Sequence, residues 1–300
     1  MDVRRFFQVS HFAWIHSNDI SKSKGEGFGY RLRIYIDMMN CFLKYRMWTN
    51  QYVKESFWTK NKEERELLGT KYKEEGIKRD AWQKDFRENR KFIIKYANIK
   101  YEKSSLREKR NKAYTEKFHA GKNLFVEYDV NISRQHYLEG TISIGDNVLL
   151  AKHSFIDYSG DLILHDNVKI TDGVSIETHS HPGFTTTNIS GEAKKEYLEI
   201  GDHVNIGTKS IITESCHKIG RYAKIGAGSV VRNNIPPYSI VIGNPAKVIS
   251  FIFTPEEMIE FEKIRYQEDE LTPLDDYARH YKHYYKSNLK VISKYLKLKI

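Results

Sequence analysis

The sequence predicts a mainly β protein, in which a parallel β-helix carries an α-helical N-terminal region and C-terminal helices. Three observations predict this architecture. An aliphatic residue recurs every six positions through the middle of the chain, helical spacing precedes this repeat, and a helix-capping motif follows it. The 300 residues divide accordingly into a basic, mostly helical region at 1–120, a β-helix domain at 121–250 and C-terminal helices at 251–300.

Residues 1–120 have the spacing and composition of surface helices. Leu32, Ile36 and Met39 recur at helical spacing, and long stretches rich in Lys, Glu and Arg hold scattered apolar residues. This region has 28 Lys and Arg against 16 Asp and Glu, whereas residues 121–250 have 12 against 14. The basic residues are interleaved with acidic ones and form no recognised nucleic-acid module. They therefore predict solvated helix faces and no nucleic-acid binding.

The middle region is defined by its repeat of six residues. A helix would need apolar spacings of three and four, whereas a short strand and a tight turn fit six. Three such units close a triangular coil with the aliphatic side chains stacked inside. Leu124 and Val130 predict an earlier, imperfect coil. The predicted inward residues are Ile144, Leu150, Ile156, Leu164, Ile170, Ile176, Ile200, Ile206, Ile212, Ile219, Ile225, Val231, Ile242 and Val248.

The C-terminal region opens with a helix start signal. Thr254 is followed by Pro255 and, three positions on, by Glu257, which is the pattern of a capping box with proline in the first turn. A second helix is predicted after Pro273. The Lys- and Tyr-rich tail from His280 indicates a solvated amphipathic helix, and contact with a membrane surface is not predicted.

Composition excludes several protein classes. Two cysteines, Cys41 and Cys216, are too few for a disulfide framework or a four-cysteine zinc site. No apolar run is long enough to span a bilayer, and the N-terminus lacks the apolar core of a signal peptide. These features predict a cytoplasmic protein.

Two stretches carry a resemblance to a known family. One is Ile225-Gly-Ala-Gly-Ser-Val-Val231 with the later Ile235-Pro-Pro237 and Gly243-Asn-Pro-Ala-Lys-Val248, and the other is the run from Gly173 to His181-Pro182. Together with the repeat, they resemble the hexapeptide-repeat acyltransferases, in particular the maltose, galactoside and surface-glycan O-acetyltransferases. The resemblance covers roughly residues 122–250 and implies a left-handed β-helix.

The resemblance also implies an activity. It predicts an acetyl-CoA-dependent O-acetyltransferase that acts on a sugar or glycan precursor, such as one for a surface polysaccharide. It further implies direct transfer in a ternary complex and a homotrimer whose active sites lie between two subunits.

The resemblance places the general base on His181, and histidine suits this role because its pKa lies near neutrality. His179 lies two residues earlier, so the two side chains could share a strand face, and His179 is predicted to contact the substrate. The resemblance also implies that Asp157 contacts acceptor hydroxyls, and the alternative is an aspartate that only serves a turn. Either a backbone carbonyl or Glu177 could orient the base.

The resemblance implies a coenzyme groove as well. Small residues would let the pantetheine arm lie against the backbone, and basic residues would meet the phosphates. The predicted coenzyme-binding residues are Thr208, Ala227, Arg232, Asn233, Lys247 and Ser250.

Two other enzymatic interpretations remain. One is N-acetylation of a nucleotide-linked amino sugar. The other is a β-helical carbonic anhydrase with three histidines on zinc, but neither His179 nor His181 has a partner at the spacing of that family's ligand pair. The sequence therefore favours acyl transfer and predicts no metal site.

Overall fold

The structure, a computed structural model, describes residues 3–23, 25–45, 62–97, 104–181 and 193–296. It divides into two compact units, Met1–Lys84 and Asp85–Ile300. The first unit contains α1 (Val3–Ser23) and α2 (Phe28–Tyr45), which pack through buried Ala13, Met38 and Met39. Among the described residues, no helix combines the length and apolarity needed to cross a membrane.

The second unit is built on a parallel β-helix of three faces. Face A contains β1 (Phe125–Val126), β4 (Leu149–Leu150), β7 (Lys169–Ile170), β12 (Asn205–Ile206), β15 (Lys224–Ile225), β17 (Ser239–Ile242) and β18 (Lys247–Phe251). Face B contains β2 (Asn131–Ser133), β5 (Phe155–Asp157), β8 (Ser175–Ile176), β13 (Ile211–Ile212) and β16 (Val230–Val231). Face C contains β3 (Ile142–Ile144), β6 (Asp161–Leu164), β11 (Tyr197–Ile200) and β14 (Lys218–Ile219). The chain visits the faces in the order A, B, C, so the predicted β-helix is confirmed.

The interior of this β-helix is the stack of aliphatic residues that the repeat predicts. Every predicted inward residue from Ile144 to Val231 is at most 4% exposed, and Leu124 and Val130 are also buried. The earlier coil predicted from Leu124 and Val130 is therefore present in the structure. Burial of one aliphatic side chain per strand contributes about 1.5–3 kcal/mol each, before the entropy of ordering the chain is subtracted.

The last coil departs from the predicted register. Ile242 is 45% exposed and Val248 is only partly buried, whereas Val241 is fully buried and lies beside Ile225 in the neighbouring strand. The prediction for Ile242 and Val248 was wrong because β17 follows the Pro236-Pro237 turn and pairs antiparallel with β18. A hairpin replaces the triangular coil at this end.

The corner between faces C and A holds a ladder of residues with left-handed backbone. Its members have φ between 54° and 60°, a region that asparagine tolerates better than most residues. The ladder starts with asparagines and ends in stacked rings. His203 stacks on Tyr222 at 4.4 Å between ring centroids, and Tyr222 stacks on Tyr238 at 5.2 Å. In chain order it comprises Asn123, Asn147, Asn167, His203, Tyr222 and Tyr238.

The N-terminal edge of the β-helix is capped by the part of α3 (Lys62–Tyr96) that belongs to the second unit, from Asp85 onward, and by α4 (Ser104–Phe118). The first coil has no strand before it, so its carbonyls need other donors. Asn89 donates to the Ile132 carbonyl, buried Arg110 to the Val126 carbonyl and Tyr114 to the Val130 carbonyl, at 2.7–2.8 Å. These three side chains give the edge the hydrogen bonds that another coil would supply.

The C-terminal helices pack on the aromatic end of the ladder. The helix α5 (Pro255–Lys263) begins with the predicted capping box, in which Thr254 and Glu257 bond reciprocally. It is followed by α6 (Leu274–Leu296). Tyr238, Phe251, Met258 and Tyr277 form the buried cluster between these helices and the last coil.

One buried carboxylate, Glu262, ties these elements together. Its oxygens accept from the Tyr238 hydroxyl at 2.6 Å and from the Thr272 amide and hydroxyl at 2.5 and 2.7 Å. Arg221 lies 3.6 Å away as a counter-charge. A buried carboxylate with these neighbours holds both helices to the β-helix.

We predict that Glu262→Ala destabilises this unit by roughly 3 kcal/mol, because it leaves a buried hydroxyl and a guanidinium without their acceptor. The control is Glu260→Ala, which removes an exposed carboxylate from the same helix. Urea unfolding followed by circular dichroism measures both. Equal midpoints for the two variants would contradict the role assigned to Glu262.

Candidate active site

The β-helix is interrupted at the corner between faces B and C. The chain leaves the coil after Thr178, forms β9 (His179–Ser180), and returns through β10 (Lys194–Lys195), which pairs antiparallel with β9. Gly160 lies directly under this crossing. A Cβ there would come within 2.1 Å of the carbonyl oxygens of both Thr178 and Glu196, so only glycine fits. The predicted irregular loop thus begins at this corner, although residues 182–192, including Pro182, lie outside the described residues.

Asp157 lies at the centre of this corner and is fully buried. One of its oxygens, Oδ1, accepts from the amide and hydroxyl of Ser159 at 2.9 and 2.6 Å and from the Gln135 amide at 3.2 Å. The other, Oδ2, accepts from the Thr178 amide at 3.1 Å and lies 2.7 Å from His179 Nδ1. Both oxygens are therefore occupied by protein donors. The predicted direct contact between Asp157 and acceptor hydroxyls would require these bonds to rearrange.

The hydrogen bond between His179 and Asp157 shifts the pKa values of the two residues in opposite directions. Hydrogen bonding to Asp157 raises the pKa of His179 and outweighs the desolvation that would lower it. Burial alone would raise the pKa of Asp157, but hydrogen bonds from His179 and Ser159 outweigh it and lower that pKa below its ordinary value. The charged states of both residues are thus favoured, and His179 carries a proton over a wider pH range than an isolated histidine.

Three imidazole rings meet beside this carboxylate. The rings of His179 and His181 lie 5.0 Å apart, and His136 lies 5.9 Å from the first and 5.6 Å from the second. His136 is brought here because its amide donates to Ser159 Oγ and the preceding amide donates to Asp157. His136 was not predicted from the sequence, since it lies between β2 and β3 where the repeat of six is broken. His136 and His179 are far apart in the sequence, so no local pattern indicates that their rings lie close together.

His181 is the last described residue before the loop, and its side chain is exposed. Its ring lies on the same side of the β9–β10 hairpin as the rings of His136 and His179. Asp157 holds His179, whereas the orienting group considered from the sequence was one for His181. Glu177 acts on His179 only as a nearby negative charge.

The predicted coenzyme residues fall on two corners. Thr208 and Ala227 are exposed neighbours at the corner between faces A and B, where the Thr208 carbonyl accepts from the Gly228 amide. Lys247 is exposed and lies near the same corner. It pairs with Ile242 in the β17–β18 hairpin, and the Ile242 side chain packs against Gly226, the neighbour of Ala227. Ser250 lies on the same strand, partly buried, with its hydroxyl bonded to the Phe251 carbonyl.

Arg232 and Asn233 are exposed at the other corner, between faces B and C, two coils beyond the histidines. One chain therefore carries the histidines on one edge of face B and Thr208, Ala227 and Lys247 on the opposite edge.

The side chains of the described residues include no group of three or more His, Cys, Asp or Glu arranged to hold a metal ion. Cys216 is buried, and burial raises the pKa of its thiol to about 12, so it is a poor nucleophile. Its neighbour His217 lies 3.4 Å from Glu196 and stacks on Tyr197.

We predict that Asp157→Asn lowers the titration midpoint of His179 toward the ordinary value of about 6.5, because the carboxylate that stabilises its cation is gone. Nuclear magnetic resonance of the imidazole protons measures this, with the signal assigned by its loss in His179→Asn. An unchanged midpoint would show that the pair does not form.

The same variant reports on stability. The raised pKa of His179 contributes stability that is fully present below about pH 6.5 and is lost as the pH rises through the raised value. The lowered pKa of Asp157 contributes stability that is present above about pH 4 and is lost as the pH falls through the lowered value. The difference in unfolding free energy between wild type and Asp157→Asn should therefore be largest between these limits.

Comparisons with known proteins agree with the resemblance. No family model matches the chain. The galactoside O-acetyltransferase of Escherichia coli strain K12 is 28% identical over 137 residues, which are 46% of this chain and 55% of the relative. The serine acetyltransferase of Buchnera aphidicola subsp. Schizaphis graminum is 34% identical over 110 residues, which are 37% of this chain and 38% of the relative. The matches therefore span from over a third to about half of these relatives.

A solved galactoside acetyltransferase in complex with coenzyme A aligns with 64% of this chain and 90% of its own, at 25% identity and a TM-score of 0.44. The matched sequence relatives are acetyltransferases, and the three-faced coil with its buried hexad residues is present here. The predicted resemblance of the β-helix to the hexapeptide-repeat acyltransferases is thereby confirmed.

Proposed function

We propose that this protein is an acetyl-CoA-dependent O-acetyltransferase that acts on a sugar or glycan precursor. The observation that carries the proposal is the pair His179 and His181 at the break in the hexapeptide coil, with His179 backed by a buried aspartate. The named relatives support acetyl transfer to a hydroxyl group, since both galactosides and serine offer one.

The reaction needs one proton acceptor and no covalent intermediate. The acceptor hydroxyl attacks the thioester carbonyl carbon while a histidine takes its proton, and the carbon–sulfur bond then breaks. The same histidine returns the proton to the departing thiolate, which leaves as coenzyme A. Cys216 does not suit nucleophilic catalysis, because it is buried with a raised pKa.

We assign the base to His181 and a donor role to His179. A base must be unprotonated when the hydroxyl arrives, and the raised pKa of His179 keeps it protonated over more of the neutral range. A protonated His179 suits the developing negative charge on the thioester oxygen or an acceptor oxygen. The Asp157–His179 pair also resembles arrangements that orient a base, so variants of both histidines must be compared.

The coenzyme would lie along the corner of face B that holds Thr208 and Ala227. Both residues are exposed, and their small side chains leave the backbone accessible to an extended arm. Lys247 at the end of this groove would meet a phosphate, with Arg232 and Asn233 as contacts from the other corner and Ser250 as a minor one. Acetyl-CoA is the co-substrate in this proposal.

The split between the two edges of face B supports assembly into a homotrimer. The residues of face B that directly precede the inward ones form a row without charges, namely Asn131, Phe155, Ser175, Ile211 and Val230. The corresponding rows carry Lys169 and Lys224 on face A, and Glu199 and Lys218 on face C. Three copies with face B toward a common axis would bury this row and bring the histidine edge of one copy to the coenzyme edge of the next.

The decisive experiment compares His181→Ala with His179→Ala. Removing a general base lowers turnover by roughly a hundred- to ten-thousandfold, so His181→Ala should lose that factor and keep its affinity for coenzyme A. His179→Ala should cost much less. Release of coenzyme A thiol from acetyl-CoA measures both, with galactosides, maltose, serine and nucleotide-linked amino sugars as acceptors.

These variants also test the assignment. A dead His179 variant beside an active His181 variant would move the base by two residues. Full activity in both would remove the main support for the transferase. Preference for an amino sugar would favour N-acetylation instead.

Assembly is tested by Ile211→Asp, which places a charge within the face B row. We expect light scattering to show a trimer for the wild type and a monomer for this variant, because an unpaired charge cannot be buried in an apolar interface. Asn205→Asp on face A is the matched control and should stay trimeric. A fully active wild-type monomer would overturn the proposal.

A further inference from the structure

Glu196 is the residue at which the chain re-enters the β-helix after the loop. Its amide donates to the Thr178 carbonyl at 3.0 Å, and its carbonyl accepts from the Asp161 amide at 3.0 Å. These bonds join the outgoing strand, the returning strand and the coil below. The position of β9 relative to the coil is therefore set at this point.

The Glu196 side chain is only 13% exposed and gathers donors from three segments. Its Oε1 accepts from Ser180 Oγ at 3.2 Å and from Lys194 Nζ at 2.7 Å, while His217 Nε2 lies 3.4 Å from Oε2. Burial alone would raise the pKa of Glu196, but the hydrogen bonds from Lys194, Ser180 and His217 lower it. The carboxylate is thus held in its charged form by these partners.

Ser180 lies between His179 and His181 on the same extended segment, so its side chain points to the opposite side. Asp157 holds one side of β9 through His179, and Glu196 holds the other through Ser180. The carboxylates of Asp157 and Glu196, one buried and one nearly so, therefore hold the short strand β9 by hydrogen bonds on both of its sides. Two residues of strand cannot fix their own orientation, since they make only two pairs with β10.

We propose that Glu196 is a positioning residue, which fixes β9 so that His179 stays bonded to Asp157 and His181 stays beside it. This role rests on the proposed function only for its effect on catalysis, because the contacts themselves require no substrate. Glu196 acts on the imidazoles of the site through Ser180, which it holds by a hydrogen bond.

The chain offers a matched control in Glu199, which lies on β11, the strand that begins directly after Glu196. Glu199 also pairs with a histidine and a lysine, His165 at 3.2 Å and Lys218 at 3.4 Å, but these lie on face C away from the loop root. Removal of either glutamate deletes one carboxylate with similar partners. Of the two, Glu196 is the one connected to β9.

The experiment measures the titration midpoint of His179 by nuclear magnetic resonance in Glu196→Ala, Glu196→Gln, Ser180→Ala and Glu199→Ala. We expect Glu196→Ala and Ser180→Ala to lower the midpoint toward that of Asp157→Asn, because His179 then leaves the carboxylate for part of the time. Glu196→Gln should recover most of the shift, since its amide oxygen still accepts from Ser180. Glu199→Ala should match the wild type.

A wild-type midpoint in both Glu196→Ala and Ser180→Ala would overturn the proposal, as would an equal shift in Glu199→Ala. Ser180→Ala removes a single hydroxyl, so it still tests the connection should Glu196→Ala fail to fold. When acetyl transfer is measured, the turnover of Glu196→Ala and Ser180→Ala should fall by up to about a hundredfold, while their dissociation constant for coenzyme A is unchanged. A shifted midpoint in a protein whose wild type transfers no acetyl group would sustain the positioning role and reject the proposed function.

Discussion

The space inside a three-sided coil is the constraint on which this protein depends. Each side has room for only one or two inward aliphatic residues, as Leu162 and Leu164 show on β6, and each corner is a tight turn. The interior is therefore a single column of side chains, and every strand contributes little more than one member of it. Stability depends on contacts between successive coils, so the two ends and any interruption need special arrangements.

The candidate site lies where this regularity is interrupted. After Ile176 the chain should turn to face C at once, but it leaves the coil and returns near Glu196. The excursion would leave polar groups of the corner unpaired, and Asp157 collects several of them. Asp157 therefore does two things: it accepts hydrogen bonds from the polar groups of the interrupted corner, and it holds His179 at the edge of the coil.

The sequence predicts the regular parts of this molecule well because the repeat is a local signal. Hexad residues such as Ile156 and Ile206 are found where the spacing puts them. The prediction fails by one position at Ile242, where two prolines and an antiparallel strand end the repeat. The capping box at Thr254 is equally local and is confirmed.

The site was less predictable because its contacts are distant in sequence. His136 is separated from His179 by almost two coils, and only the stacking of coils brings the rings together. Asp157 was singled out, but its bond to His179 depends on how the chain leaves the corner. Glu196 carries no motif, and its partners come from three segments that meet only in the folded chain.

The capped first coil has a consequence for the behaviour of many molecules together. An open parallel sheet edge is a template on which another chain can add strands. Here Asn89, Arg110 and Tyr114 already occupy the carbonyls of that edge, and the last strand of face A turns back antiparallel. The carbonyls that these three side chains bond at the N-terminal end are therefore not free to accept a strand from another chain.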